Sequence, residues 1–448
     1  MSMTASIEKI DTAAIFATEY ERQKNNFSGS IFLKNSRAKA MESFLKQGFP
    51  NRKNEEYKYS SPEKLFFKEE FAYQNSLAKI SQKEIEKQLI PHLNTDVVVL
   101  VNGIFSKENS MLENLPKTII VCDFLEASKQ HTAIFEKHFS NYADINSDAF
   151  VALNTAFTDN GLFIYVPENI ILEKPLHILN LVTAKQSTFF NQRNLFLIGK
   201  KSELKIIETI DTFDLPVKII TNTVTEISIA ENAKMHYYTL QKECENGNRI
   251  HATNVSQQAN SHFDTNTFTL GGSWIRNNLN IALNAEHCET HLNGLFITKG
   301  NQHVDNHTLV DHCAPNCESR QLYKGILNEK STGVFNGKIM VRKDAQKTNA
   351  YQSSKNILLS DDATINAKPQ LEIYADDVKC SHGTSTGRID EDALFYLRSR
   401  GLSEASGKKL LMYAFAVDVV NTLKIEALKV YIEKLIEKRL QDDNTKTN

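Results

Sequence analysis

From about Asn154 to Ile389 the apolar residues recur mostly at every second position, and no helix-length pattern interrupts them. Phe163 and Tyr165, then Leu176 and Ile178, read as one strand pair around Pro167 and Pro175. Leu195 and Leu197 precede the turn residues Gly199-Lys200-Lys201-Ser202, after which come Leu204 and Ile206. Similar units follow at 224–240, 263–270, 279–283, 292–297, 323–327, 334–341 and 357–359. So long a run of short strands excludes a doubly wound α/β sheet, which needs a helix between successive parallel strands. A sandwich, a barrel or a parallel β-helix remains. The hairpin dipeptides Asn102-Gly103 and Asn336-Gly337 are present, while Asn160-Gly161 and Asn293-Gly294 precede apolar pairs. Strand-turn units recur at roughly twenty residues, which favours stacked β-helix rungs although no strict motif repeats.

Both flanks have the helical period. Ser36 is positioned to cap a helix with Met41, Phe44 and Leu45 on its apolar face, Gly48 at its end and Pro50 beyond. Ser81-Gln82-Lys83-Glu84 has capping-box spacing, and its helix should stop by Pro91. Val97-Val98-Val99-Leu100-Val101 then reads as a strand running into the Asn102-Gly103 turn. After Ile389, Asp390 should cap a helix over 393–400 that ends at Gly401, and Ser403 should open one to about Val420. From Thr422 a last amphipathic helix puts Ile425, Leu428, Ile432, Leu435 and Ile436 on one face, before a polar tail at 441–448. The expected division is a helical region over 1–95, a β core over 96–389 entered through a mixed segment (96–153), and a helical region over 390–448.

Several function classes can be set aside. Lys+Arg number 52 against 54 Asp+Glu, so no global field favours nucleic acid or an anionic membrane. The first thirty residues carry Glu8, Asp11, Glu19 and Glu21 and no apolar segment of the signal-peptide kind. The best apolar run, 410–417, is cut by Asp418. A soluble cytoplasmic chain is the expectation. Its six cysteines are scattered without a CxxC pair, as free thiols would be. Gly333-Val334-Phe335-Asn336-Gly337-Lys338-Ile339 is too short between its glycines for a phosphate loop and has Ile after the lysine. Any ATP-driven work would need an ATPase partner.

Two clusters could carry metal chemistry. His303, Asp305 and His307 share a strand face, with His312, Cys313 and Cys317 close behind. Alternate strand residues stand about 7 Å apart, so one ion reaches all three only if the strand bends. A polar outward face is the competing reading. The run His287-Cys288-Glu289-Thr290-His291 is discounted on the same ground. Cys380 and His382 flank Ser381 and point to one side of an extended strand, as soft and borderline ligands for iron. Two ligands make half a site, which is either transient or completed by a partner.

The longer run 368–383, which ends Tyr374-Ala375-Asp376-Asp377-Val378-Lys379-Cys380-Ser381-His382-Gly383, resembles the signature of the SufB/SufD family of iron–sulfur cluster assembly proteins. It continues, as that family does, through Gly387-Arg388-Ile389-Asp390 and Leu394-Phe395-Tyr396-Leu397-Arg398-Ser399-Arg400-Gly401. Ser319-Arg320-Gln321-Leu322-Tyr323-Lys324-Gly325-Ile326 and Phe335-Asn336-Gly337 are similar as well, with weaker matches at 52–59 and 101–103. Lys379-Cys380-Ser381-His382-Gly383 and Arg398-Ser399-Arg400 look like the SufD branch; SufB usually has a Cys-Glu-His spelling.

The resemblance implies a mainly β protein with helical ends, in which a right-handed parallel β-helix stands between the two helical regions. It implies a non-catalytic scaffold that pairs with SufB through the β-helix ends and with the ATPase SufC through the C-terminal helices. That scaffold builds and transfers nascent Fe–S clusters and has a role in iron supply. His382 is then the candidate iron or cluster ligand at the SufB interface, with Cys380 secondary. Phe395, Tyr396, Leu397, Arg398 and Arg400 are the SufC-docking candidates. Iron or a cluster would be held only transiently, and no cofactor permanently. Neither nucleic acid nor a membrane is implied as a partner. Two readings compete with it. One is a metal-binding homodimer, the form open to an isolated chain, using His303, His307 and His312. The other is a β-helix carbohydrate-active enzyme using Asp361, Asp362, Asp376 and Asp377, although adjacent aspartates on a strand face opposite ways.

Overall fold

Successive strands alternate between two sheets. In a computed structural model describing residues 12–66, 71–73, 78–213 and 216–441, one sheet stacks Leu162–Val166, Thr188–Ile198, Ile219–Ile229, Gly247–Gln257, Trp274–Leu283, His303–His312, Thr332–Val341 and Thr364–Ile373 in parallel. The second stacks Asp96–Val101, Leu176–Val182, Glu203–Thr212, Lys234–Gln241, His262–Thr269, Glu289–Thr298, Glu318–Leu327, Asn349–Leu358 and Lys379–Gly387. Each strand therefore pairs with the next but one in sequence. The chain is a parallel β-solenoid of about eight turns with helical regions at both ends. Asp264 pairs with His291, and His291 with Arg320, so a full turn takes roughly thirty residues.

That register corrects the shorter repeat expected from sequence. A unit such as 224–240 holds parts of two strands, Ile219–Ile229 and Lys234–Gln241, one in each sheet. For the same reason Phe163 and Ile178 do not pair. Phe163 lies beside Leu195, and Ile178 beside Glu208. Asn336-Gly337 and Asn293-Gly294 lie inside strands instead of forming hairpins. Only Asn102-Gly103 turns a hairpin, with both residues at positive φ before the antiparallel Ile104–Phe105.

The repeat is marked at the corners. Lys201, Asn232, Asn260, His287, Asn316 and Lys347 all adopt left-handed φ between 55° and 60°. Each is followed by a small buried residue: Ser202, Ala233, Ser261, Cys288, Cys317 and Thr348. Backbone bonds join corner to corner, as from the Asn232 N–H to the Ala259 carbonyl and from the Asn260 N–H to the Glu286 carbonyl. The left-handed residue reverses the chain, and only a small side chain fits the stacked inner corner. Cys288 and Cys317 thus occupy corner positions that serine, alanine and threonine fill elsewhere.

Leu176, Ile178, Phe196, Ile206, Ile227, Met235, Val255, Phe263 and Leu292 fill the space between the sheets. Helices then cover both outer faces. Phe16, Phe44, Phe150 and Phe157 from the N-terminal part pack on Phe189, Ile220 and Ile250 of the first sheet. Met412, Ala416, Val419, Leu428, Ile432 and Ile436 pack on Ile207, Leu240, Phe268 and Leu295 of the second.

The helix boundaries partly depart from expectation. Ser30 caps Ile31–Gln47, accepting from the Leu33 N–H, while Ser36 lies inside the helix with its hydroxyl on the Phe32 carbonyl. Met41 and Phe44 are buried but Leu45 is 47 % exposed. Gly48 ends that helix as expected, and Ser81 and Glu84 form the capping box. Asp390 and Ser403 cap Glu391–Ser399 and Glu404–Val420. The last helix begins at Glu426, four residues after Thr422, and runs to Gln441. Glu8 and Asp11 and the tail at 442–448 lie outside the described residues. Among those described, no helix is long and apolar enough to cross a membrane.

The two ends of the solenoid differ. At the first turn, Ile104–Phe105 and Ile120–Asp123 lie antiparallel on Asp96–Val101 and Leu162–Val166 and close both edges. Beside this end Gly161, at φ 144°, passes so near the chain that an added Cβ would stand 1.7 Å from the Arg193 carbonyl oxygen. Gly161→Ala is expected to destabilise the fold by at least about 2 kcal/mol, read from the urea midpoint. At the last turn Thr364–Ile373 and Lys379–Gly387 each have a single strand neighbour among the described residues. That end is open.

Candidate functional site

Cys380, Ser381 and His382 sit on the open edge, opposite Ala350, Tyr351 and Gln352 respectively. Ala350 and Gln352 are buried, whereas Tyr351 is 43 % exposed. Cys380 and His382 therefore continue inward-facing columns, and Ser381 continues an outward one. His382 is exposed because no further turn covers it; Cys380 is half-buried, and burial pushes its thiol up. The column beneath His382 is polar. Gln352 donates to Gln321 at 2.8 Å, and Gln321 donates to Thr308 at 2.5 Å. Gln352 Oε1 is buried without a hydrogen-bond partner among the described residues, which leaves an acceptor on the rung next to His382. Pro369 removes one ladder donor from the other open strand, whereas Lys379–Gly387 has no proline.

The His303 group lies elsewhere, on the outer face of the first sheet beneath the N-terminal segment. Asp305 is fully buried and pairs with Arg276 at 2.7 Å. His307 bonds Asp305 at 3.0 Å and Glu56 at 3.2 Å, and His303 bonds the Ser60 hydroxyl at 2.8 Å. Burial pushes the Asp305 carboxyl up, but His307, Arg276 and His303 outweigh it and hold it well below the usual range. His312 is not part of this group. It is buried, lies 2.9 Å from the Ser319 hydroxyl, and is held neutral by burial, with its pKa lowered to about 4.

On Glu391–Ser399 the docking candidates divide. Phe395 and Tyr396 are 72 % and 57 % exposed, and Arg398 and Arg400 are exposed too, with the Arg400 guanidinium 5.2 Å from the Tyr396 ring centre. Leu397 is only half-buried, and with Leu394 it faces Gly407 of the next helix. The outward surface is therefore aromatic and cationic.

One cluster escaped the sequence reading. Asp264 receives His236 Nδ1 at 3.0 Å, His262 Nε2 at 2.7 Å, His291 Nδ1 at 2.9 Å and Lys424 Nζ at 2.7 Å. Burial raises the Asp264 carboxyl, but these four partners together hold it far below the usual range. His236 and His291 are far from Asp264 in sequence and adjacent only through the register. The available signal was the His262-x-Asp264 spacing, together with a turn length that could not be read. His291 and Glu289 come from the discounted 287–291 run, whose His287 and Cys288 are corner residues.

Comparison with known proteins adds a family-level likeness. A model of the "SUF system FeS cluster assembly, SufBD core domain" matches residues 180–415, and one of the "SufBD protein N-terminal region" matches 11–178. An iron–sulfur cluster assembly SufBD family protein of Synechocystis is 30% identical over 362 residues, covering 79% of this chain and 80% of its own. The iron–sulfur cluster assembly protein SufD of Escherichia coli is 29% identical over 403 residues, 89% of this chain and 91% of its own. SufD of Bacillus subtilis is 26% identical over 339 residues, 72% of this chain and 75% of its own.

Proposed function

Because this chain belongs to the SufBD family of iron–sulfur cluster assembly proteins, we propose that it is the SufD-type scaffold subunit, non-catalytic itself, working with SufB and the ATPase SufC. The open end of the solenoid carries this reading. Two strands are left with one free edge each, and one of them, Lys379–Gly387, carries an inward-facing imidazole and thiol, half a ligand set on an edge that invites another strand. A SufB solenoid stacked on Lys379–Gly387 would extend the sheet and supply the missing ligands. His382 is the main ligand, since the raised Cys380 thiol must first lose its proton. Iron or a nascent cluster is then held transiently between the two chains, built there and passed on, and the same site gives the subunit its part in iron supply.

SufC meets the exposed face of Glu391–Ser399 in this scheme. Closure of two ATP-bound SufC subunits would move the C-terminal helices, which pack on the second sheet, the sheet that ends in Lys379–Gly387. Replacing Tyr396 with alanine is expected to weaken capture of SufC at least about tenfold, as for a central aromatic anchor, with Phe395→Ala close behind. Leu397→Ala should act mainly on stability, through the lost contact with Gly407. Unchanged binding by the Tyr396 and Phe395 variants would move the docking surface elsewhere.

The whole reading is tested by co-expression with SufB and SufC and mass measurement of the intact assembly. One assembly containing all three chains is expected. A chain that remains a monomer, or pairs only with itself, would overturn it.

A further inference from the structure

His236, His262 and Asp264 form, among the described residues, the one group of three metal-ligating side chains whose ligand atoms all lie within 4.8 Å of one another. We propose that they bind a divalent first-row transition ion of the Fe2+ or Zn2+ class, at a site separate from His382. Two imidazoles and a carboxylate, with positions left open, are a common ligand set for both ions.

Four features set this cluster apart from an ordinary surface ion pair. The Asp264 carboxylate collects more cationic or potentially cationic partners than a structural carboxylate needs, and two of its three histidines come from other turns. Glu289 lies behind two of the rings, 3.4 Å from His262 Nδ1 and 3.3 Å from His291 Nε2, on the nitrogens turned away from Asp264. A carboxylate in that position fixes ring orientation and raises the basicity of the metal-facing nitrogen, as behind many metal-bound histidines. The ligand atoms now stand 2.7–3.0 Å from Asp264. Tetrahedral ligands at about 2.1 Å from an ion are about 3.4 Å apart, so each nitrogen need draw back from the carboxylate by only about half an ångström.

The fourth feature is access. Asp264, Glu289 and His291 line one end of an open groove of about 910 Å³ that continues past Arg320 and Tyr351 to Ser381. Lys424 Nζ occupies the cation's side of Asp264, but its side chain is 55 % exposed and free to swing into solvent. Lys424 thus competes with the ion for Asp264. From Asp264 to Ser381 the register takes four strand steps, roughly 19 Å along the outer face of the sheet that carries His382 on its inner face. One ion cannot serve both places.

The test is calorimetric titration of the purified full-length chain with Zn2+, and with Fe2+ under argon. Wild type is expected to take up one ion saturably at this cluster. His262→Gln should weaken that uptake at least about 100-fold and Glu289→Gln about tenfold, while Lys424→Gln should strengthen it several-fold. Glu289 is half-exposed, so its variant remains informative if a ligand variant unfolds. The titration uses the chain alone, without SufB or SufC, so its failure leaves the co-expression result untouched and is distinguishable from failure of the scaffold reading. No saturable uptake by wild type, or uptake that the His262 and Glu289 variants both leave as it was, would overturn the assignment.

Discussion

His382→Ala is expected to leave the three-chain assembly intact and to lower its rate of cluster maturation at least about tenfold. An outer partner of a metal ligand is typically worth about 10–100-fold, and a ligand itself should be worth no less. The stability cost should stay within about 0.5 kcal/mol, because the side chain is exposed on an edge strand and fills no core space. Cys380→Ala should have the smaller effect on maturation. Its thiol is raised by burial and is the poorer ligand before metal arrives, although losing it also trims the packing around Ala350. Reconstituting a cluster on the purified assembly, with transfer to an apo-ferredoxin as the readout, measures both variants. An assembled His382→Ala complex that matures clusters at the normal rate would sink the ligand role and leave the open end as an interface only.

The placement of that pair on one strand face was legible from alternation alone. Cys-x-His on a strand allows only one arrangement, and the register with Ala350 and Gln352 gives it. Legible too were the caps at Ser81, Asp390 and Ser403, where side chain and backbone lie within a few residues of each other. The turn length was not. The corners are built by left-handed Lys, Asn and His residues, and only asparagine among these is a usual turn marker. With His287 and Lys347 unrecognised, the thirty-residue period blurred into units of twenty. Everything that depends on that period was lost with it, including the meeting of His236, Asp264 and His291 across three turns. The Ser36 cap failed for a different reason. Ser30 and Ser36 both precede helical apolar residues, and only packing of Leu33 and Arg37, both buried, brings the helix forward to start at Ile31.

Asp305→Ala is expected to cost about 3–5 kcal/mol and to loosen the N-terminal segment from the solenoid. The carboxylate is buried with Arg276, and removing it leaves a guanidinium that is 2 % exposed without its counter-charge, the costly half of breaking a buried pair. Arg276 also lies under the Tyr57 ring, 3.9 Å from its centre, and Ser60 donates its hydroxyl to Asp305. Glu56 reaches His307 at 3.2 Å, and Glu55 pairs with Lys368 on the last turn. The Asp305 seat therefore ties the 55–60 segment to the solenoid as far as its open end. Urea unfolding gives the cost, and limited proteolysis around residues 51–62 should show the loosening. The double variant Asp305→Leu with Arg276→Met should recover most of the loss, since apolar replacement of a whole buried pair is often close to neutral. The same measurements decide what His303 and His307 do. If they serve this ion-pair seat, a chelator shifts the urea midpoints of wild type and Asp305→Ala alike; if they hold a metal, it lowers the wild-type midpoint by more than that of Asp305→Ala.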